Sequence, residues 1–337
     1  MNSLLCCYFP TKVIFVDDSS SILRSLAPIL DHNIATYGFF DNPYKALEFV
    51  NSFQGIDFLP SAFPSREQKS DEIYKAIFSP QRYEEVSTVI VDYEMPSMKG
   101  LEFCEKLQNP YIRKILYTGV ADEKVAIEAF NKGLIDGYIR KQDESDDPSL
   151  ILNNFIRQSQ LKYFKTLTDV SMEPILKNKK SIEYDDYRDA PVYDPTFNKY
   201  FNELLEKNNI SEYYFNESIN GFIFLTPKGK LSALFTVSEE IFEGLHWQFI
   251  GDLEKEAATN KQISSSFIKE LEENRKLLCF PFYGNDQHPL PEEWEKYAYP
   301  LEILQGENIY YIAYARDIDY IDPVEIYSFE KYQRKKK

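Results

Sequence analysis

Five short apolar runs, each followed by a helical period, fill the first half of the chain, and four of them end in a chemically active polar residue. Lys12–Val16 runs into Asp17-Asp18, Thr88–Val91 into Asp92, Lys114–Tyr117 into Thr118, and Gly137–Ile139 stops just before Lys141. Ile34–Phe40 is the remaining strand. Between the strands, apolar residues recur at helical spacing, as at Ile22, Leu23, Leu26, Ile29 and Leu30. Helices are expected after Asp41-Asn42-Pro43, over Gly100–Leu107, over Glu123–Asn131 with Gly133 as its cap, and from Pro148 to about Phe164. Strands alternating with helices predict an α/β unit whose parallel sheet is covered on both faces. Such sheets hold ligands beyond the carboxyl ends of their strands, which is where all these polar residues fall.

Three carboxylates at one edge repel one another unless a cation or a proton intervenes. Asp17, Asp18 and Asp92 offer the few oxygen ligands that Mg²⁺ prefers, with room left for water and phosphate oxygens. A carboxylate there can attack phosphorus and form an acyl phosphate. Lys141 can neutralise a further oxygen and the Thr118 hydroxyl can donate to another. The expected chemistry is phosphoryl transfer onto a carboxylate, so the protein is expected to be a phosphoacceptor, not an enzyme beyond its own phosphorylation and dephosphorylation.

These residues carry a resemblance. Val16-Asp17-Asp18, Asp92–Gly100 (DYEMPSMKG), Tyr117-Thr118-Gly119 and Lys141, in this order, resemble the receiver domain of two-component response regulators. The resemblance implies a CheY-like (flavodoxin-like) five-stranded parallel sheet over residues 11–160. It implies that Asp92 accepts a phosphoryl group from a sensor histidine kinase, and that Asp17, Asp18 and Asp92 hold Mg²⁺ with the backbone carbonyl of Glu94. It further implies Thr118 and Tyr138 as switch residues, and a homodimer formed on phosphorylation. Two features depart from the pattern: Gln142 stands where a proline usually follows the lysine, and about 34 residues (54–87) separate the second helix from the third strand. This insertion is expected on the face away from the acidic edge, as a surface elaboration or a contact for a partner. The run over residues 88–145 is also similar to the Legionella-type quorum-sensing response regulators, which implies control of a growth-phase or virulence programme.

Domains are expected at 1–165 (receiver), 166–197 (polar linker) and 198–337 (output). The output half reads as α+β with an antiparallel sheet. One hairpin turns at Thr226–Gly229 and another at Gln305-Gly306-Glu307, with helices over Asn198–Lys207, Leu245–Ala257, Ser264–Leu278 and Val324–Tyr332. No helix-turn-helix with a basic recognition helix and no phosphate-binding glycine loop occur in it.

The net charge of -16 is spread over both halves, which disfavours a broad phosphate-neutralising surface. A protein or small ligand of the output half is therefore favoured. The alternative is a nucleic-acid- or nucleotide-binding effector using Lys228, Lys230, Lys261, Arg275 and Lys276. The terminal Arg334–Lys337 cluster reads as a solvated tail. Four cysteines without framework spacing and no membrane-spanning run predict a cytoplasmic protein with no membrane partner.

Overall fold

The computed structural model describes residues 4–52, 77–119, 123–141, 147–177, 191, 194–216, 221–280, 289–316, 318 and 326–336. The chain forms two compact units, and the described residues of the first fall within 8–61, 79–172 and 332–337. Preceding it, Cys7–Tyr8 (β1) is a two-residue strand of the other sheet.

The first unit is the expected α/β layer structure. Its strands are Thr11–Val16 (β2), Ala35–Phe40 (β3), Val86–Asp92 (β4), Arg113–Thr118 (β5) and Gly137–Arg140 (β6). Its helices are Ser20–Leu26 (α1), Pro43–Ser52 (α2), Gly100–Glu105 (α3), Glu123–Asn131 (α4) and Pro148–Lys177 (α5). The strand order is β3-β2-β4-β5-β6, every pair parallel. The order reverses between β2 and β4, which makes their carboxyl ends the topological switch point.

Two-residue periodicity decides which layer each side chain joins. Val13 and Phe15 of β2 point to a core with Leu23 and Leu26 of α1 and Leu152 and Ile156 of α5. Ile14 and Val16 point the other way, into Ala46, Leu47 and Val50 of α2, Phe103 of α3, and Ala126 and Ala129 of α4. Each fully buried Val, Leu, Ile or Phe side chain among these contributes roughly 1.5–3 kcal/mol. Gly133 takes φ +69°, and the Leu134 amide donates to Ala129 O at 3.0 Å, closing α4 in the predicted Gly-capped manner.

The fifth helix does not stop near Phe164. It continues to Lys177, so residues 166–177 are helical, with Leu167 and Thr168 buried. Of the insertion, only residues 77–87 are described, and the helix expected over Asp71–Phe78 lies outside them except for its last two residues. Its end is a 3₁₀ turn, Pro80–Glu84, with Arg82 and Tyr83 buried. It sits at the amino ends of the strands: Thr36 Oγ1 donates to Tyr83 O at 3.1 Å and the Lys12 amide to Glu85 O at 2.7 Å. For these residues, that is the edge opposite the acidic ones.

The described residues of the second unit fall within 4–7, 77–78 and 173–331. After Pro195–Lys207 (α6), its strands are Glu212–Asn216 (β7), Gly221–Leu225 (β8), Leu231–Ser238 (β9), Lys276–Leu278 (β10), Ala298–Gln305 (β11) and Ile309–Ala315 (β12). They form a seven-stranded sheet ordered β1-β7-β8-β9-β12-β11-β10, antiparallel from β7 to β10. Both predicted hairpins are present, and the first turns on Gly229 at φ +83°. Phe197 and Phe201 of α6 pack on the sheet, with Phe201 ring centroids 4.6 Å from Phe222 and 5.2 Å from Tyr213. Trp247–Ala257 (α7) and Ser265–Glu272 (α8) build a second cluster with Phe280 and Trp294.

Three strands departed from expectation. β1 and β7 were not anticipated, and β10 lies where the helix over Ser264–Leu278 was expected to continue. That helix stops because Asn274 adopts φ +53° and the Arg275 amide reaches back to Glu270 O at 2.9 Å, freeing Leu277 and Leu278 to pair with Tyr299 and Ala298. The closing helix expected over Val324–Tyr332 is Phe329–Lys336 (α9), shifted toward the terminus. Among the described residues, no helix is long and apolar enough to cross a membrane.

Candidate functional site

The site is assembled by strand ends. β2 delivers Asp17 and Asp18 one and two residues past its last residue, β4 ends on Asp92, β5 ends on Thr118, and Lys141 follows β6. β2 and β4 are buried along their whole length, so their register is set by packing and the acidic residues cannot slide along the edge. The parallel pairs Val16↔Val91 and Thr118↔Arg140 bring the four ends level.

Asp17, Asp92 and Thr118 are buried, at 3%, 7% and 0% exposure, whereas Asp18 is exposed. Each of the three carboxylates offers one oxygen such that all lie within 4.8 Å of one another. Lys141 Nζ bridges the two buried ones, at 2.8 Å from Asp17 Oδ2 and 2.8 Å from Asp92 Oδ1. The other Asp17 oxygen accepts the Ser19 amide at 2.9 Å, which fixes the carboxylate's rotation. The Lys141 amide donates to Thr118 O at 2.9 Å, so hydroxyl-bearing and ammonium-bearing residues share one backbone bond. The Tyr117 ring lies 5.4 Å from the ammonium. Beside the cluster, a cleft of about 660 Å³ is lined by Leu26, Ile29, Tyr117, Lys141 and Phe155 among others.

The electrostatics follow from this crowding. Burial pushes the Asp92 carboxyl above its usual range; Lys141 works against the rise, and Asp17 and Asp18 add to it. Burial disfavours the Lys141 ammonium, but its bonds to Asp17 and Asp92 outweigh that and raise it overall. One ammonium among three carboxylates leaves a net negative pocket of oxygen donors. That donor set fits a hard divalent cation such as Mg²⁺, which takes oxygen ligands and offsets their repulsion.

The remaining expected residues are placed as follows. Glu94 is exposed in the segment between β4 and α3, its carboxylate 3.6 Å from Lys99 Nζ. Tyr138 is half-buried on β6 and packs on the core that also holds Leu116. Gln142 lies outside the described residues. The five cations of the nucleic-acid alternative do not gather. Lys228 and Lys230 sit at the β8–β9 turn, Lys261 lies between α7 and α8, and Arg275 and Lys276 enter β10, which β12 and β11 separate from β9. Lys276 is also paired with Glu270 at 2.8 Å.

Two contributors were not among the candidate site residues. Ser19 orients Asp17, a backbone bond no side-chain pattern announces. Gly100 lets α3 start against the end of β4: a Cβ there would stand 2.4 Å from Asp92 O. The signal for Gly100 was present, as the last residue of the DYEMPSMKG run.

Comparison with known proteins agrees with this geometry. The family described as "Response regulator receiver domain" matches residues 70–150. The solved structure of the Legionella pneumophila response regulator LqsR is similar at 28% identity and TM-score 0.72, covering 98% of this chain and 95% of that one. An uncharacterized protein from Neptuniibacter caesariensis shares 22% identity at TM-score 0.35, over 52% of this chain and 99% of that one. A response regulator receiver domain protein from Clostridium thermocellum shares 22% identity at TM-score 0.30, over 45% of this chain and 98% of that one. Comparison with curated proteins finds no match.

Proposed function

We propose that this chain, which carries a CheY-like response-regulator receiver domain, is a phosphorylation-controlled signalling protein whose second unit is the output. The observation that carries this reading is Lys141 bridging the buried Asp17 and Asp92 at 2.8 Å each, with Asp18 beside them, at the switch point of the sheet. In the proposed reaction a carboxylate oxygen of Asp92 attacks phosphorus, and the bond from phosphorus to the histidine of a sensor kinase breaks. Lys141 neutralises an oxygen of the incoming group, and the Thr118 hydroxyl donates to another. When bound, a divalent cation held by Asp17, Asp18, Asp92 and the Glu94 backbone carbonyl supplies charge compensation for the transferred group.

The acyl phosphate adds charge and acceptor oxygens that only the phosphorylated state possesses, so it biases Thr118 and Tyr138 toward a second arrangement. Tyr138 is half-buried, which leaves its ring room to respond. Homodimerisation is the proposed consequence, and Ile127 and Phe130 of α4, at 41% and 50% exposure, supply apolar surface for it. The proposed signal class is quorum sensing, on the resemblance carried by residues 88–145. The output ligand is proposed to be a protein or small molecule, since the separated cations give nucleic acid no continuous surface. A cytoplasmic location is proposed on four buried cysteines that show no disulfide-framework spacing in the sequence.

The test is intact mass after incubation with Mg²⁺ and acetyl phosphate, with oligomer size read in parallel. A single phosphoryl adduct on the wild type and none on Asp92→Asn is expected. An adduct on both, or on neither, would overturn the reading.

A further inference from the structure

The described part of the basic cluster, Arg334–Lys336, is helical with exposed side chains. It ends α9, and its residues from Tyr332 onward group with the first unit. Tyr332 is buried, and its ring lies 5.2 Å from the buried ring of Tyr83. The Tyr332 hydroxyl and Lys336 Nζ both bond Glu84 Oε1, while Lys12 Nζ bonds the other oxygen. Gln333 Nε2 donates to His32 O, and Lys336 Nζ lies 4.9 Å from the Tyr332 ring. Glu84 therefore takes three donors, two of them from the chain's last residues.

We propose that this end of α9 is a detachable ligand: the surface formed by Lys12, His32, Tyr83 and Glu84 is a docking site for a basic, tyrosine-bearing helical segment, filled in cis by Tyr332–Lys336. Three features make the segment exchangeable. Its anchor is one buried ring, and the rest is polar. The Lys336 side chain is 52% exposed, and an ion pair so placed holds weakly and is screened by salt. When the segment leaves, Glu84 keeps Lys12, so the empty site holds no uncompensated charge. Burial pulls the Lys12 ammonium below its usual range despite Glu84, which shows how far this pair is withdrawn from water. The docking site includes the end of the insertion, since Tyr83 and Glu84 lie in its 3₁₀ turn. It sits at the amino ends of the strands and is independent of the phosphorylation reading.

The experiment uses a fluorescein-labelled peptide of residues 329–337, added to the full chain, to the chain ending at Lys331, and to full-length Lys336→Glu. Lys336 is exposed, so the last variant keeps its fold while like charge against Glu84 expels the segment. The shortened chain and Lys336→Glu are expected to bind the peptide at least tenfold more tightly than the wild type, whose own terminus competes. Adding Glu84→Gln to either is expected to remove at least tenfold of that affinity. No binding to either variant, equal binding to wild type, or binding indifferent to Glu84→Gln would each overturn the proposal. A wild-type dimer that Lys336→Glu converts to a monomer would overturn it too, because the segment would then come from a second copy.

Discussion

Lys141→Met tests whether the bridge between Asp17 and Asp92 is the keystone of the acidic edge. Its ammonium makes two charge-assisted bonds of 2.8 Å, and its side chain is 20% exposed. Bonds to charged groups contribute about 1.5–3 kcal/mol each. Discounted for partial exposure, the loss is about 3 kcal/mol, consistent with breaking a buried pair on one side. At roughly 3 °C per kcal/mol for a domain of this size, the melting temperature falls by about 9 °C in metal-free buffer near pH 8. The pH dependence carries the sharper information. Asp92 already holds its proton above the usual range, and without Lys141 it does so more strongly. The folded state then binds more protons than the unfolded one between the ordinary aspartate value and the raised value. Stability falls as pH rises through that window, so the deficit against wild type is largest above it and shrinks on acidification. Adding Mg²⁺ is expected to raise the variant's melting temperature more than the wild type's. Calorimetry across pH is the assay. A deficit under about 2 °C at pH 8, or one that does not shrink at lower pH, refutes the reasoning on linkage grounds.

Two further outcomes follow from the same geometry and from the second sheet. Asp92→Asn removes the carboxyl whose ionisation the fold disfavours, so in metal-free buffer the variant is expected to lose the wild type's decline in stability as pH rises through that raised value; parallel declines in both proteins, read by thermal melts, would assign the effect elsewhere. Gly221→Ala places a Cβ 1.8 Å from Leu234 O in the β8–β9 pair, and about 3 kcal/mol of stability is expected to be lost in urea unfolding; a loss within 0.5 kcal/mol, roughly the ordinary surface value, would mean the strand end shifts freely.

By itself, the sequence determined the fold of the first unit. Its strands are buried apolar runs a few residues long, its helices carry one apolar stripe, and its acidic, hydroxyl and ammonium candidates stand at strand ends, so local periodicity reports both the layers and the edge on which those residues cluster. Asp17, Asp18, Asp92, Thr118 and Lys141 could be named because a parallel sheet has only one carboxyl edge to put them on. The hairpin at Gly229 was legible for the same local reason, a turn glycine between two apolar runs. What only the tertiary structure decided depends on partners far along the chain. Cys7–Tyr8 is a strand because it lies beside β7, where the Phe215 amide donates to Cys6 O at 2.6 Å, a bond no window of sequence contains. Lys276–Leu278 is a strand because Asn274 ends α8 and β11 offers a free edge. Tyr332–Lys336 is helical and seated because Tyr332 and Lys336 both bond Glu84, with the Tyr83 ring beside that of Tyr332. Its charge pattern alone describes a solvated tail equally well, since a charge run specifies its own hydration but not the single carboxylate that will meet it.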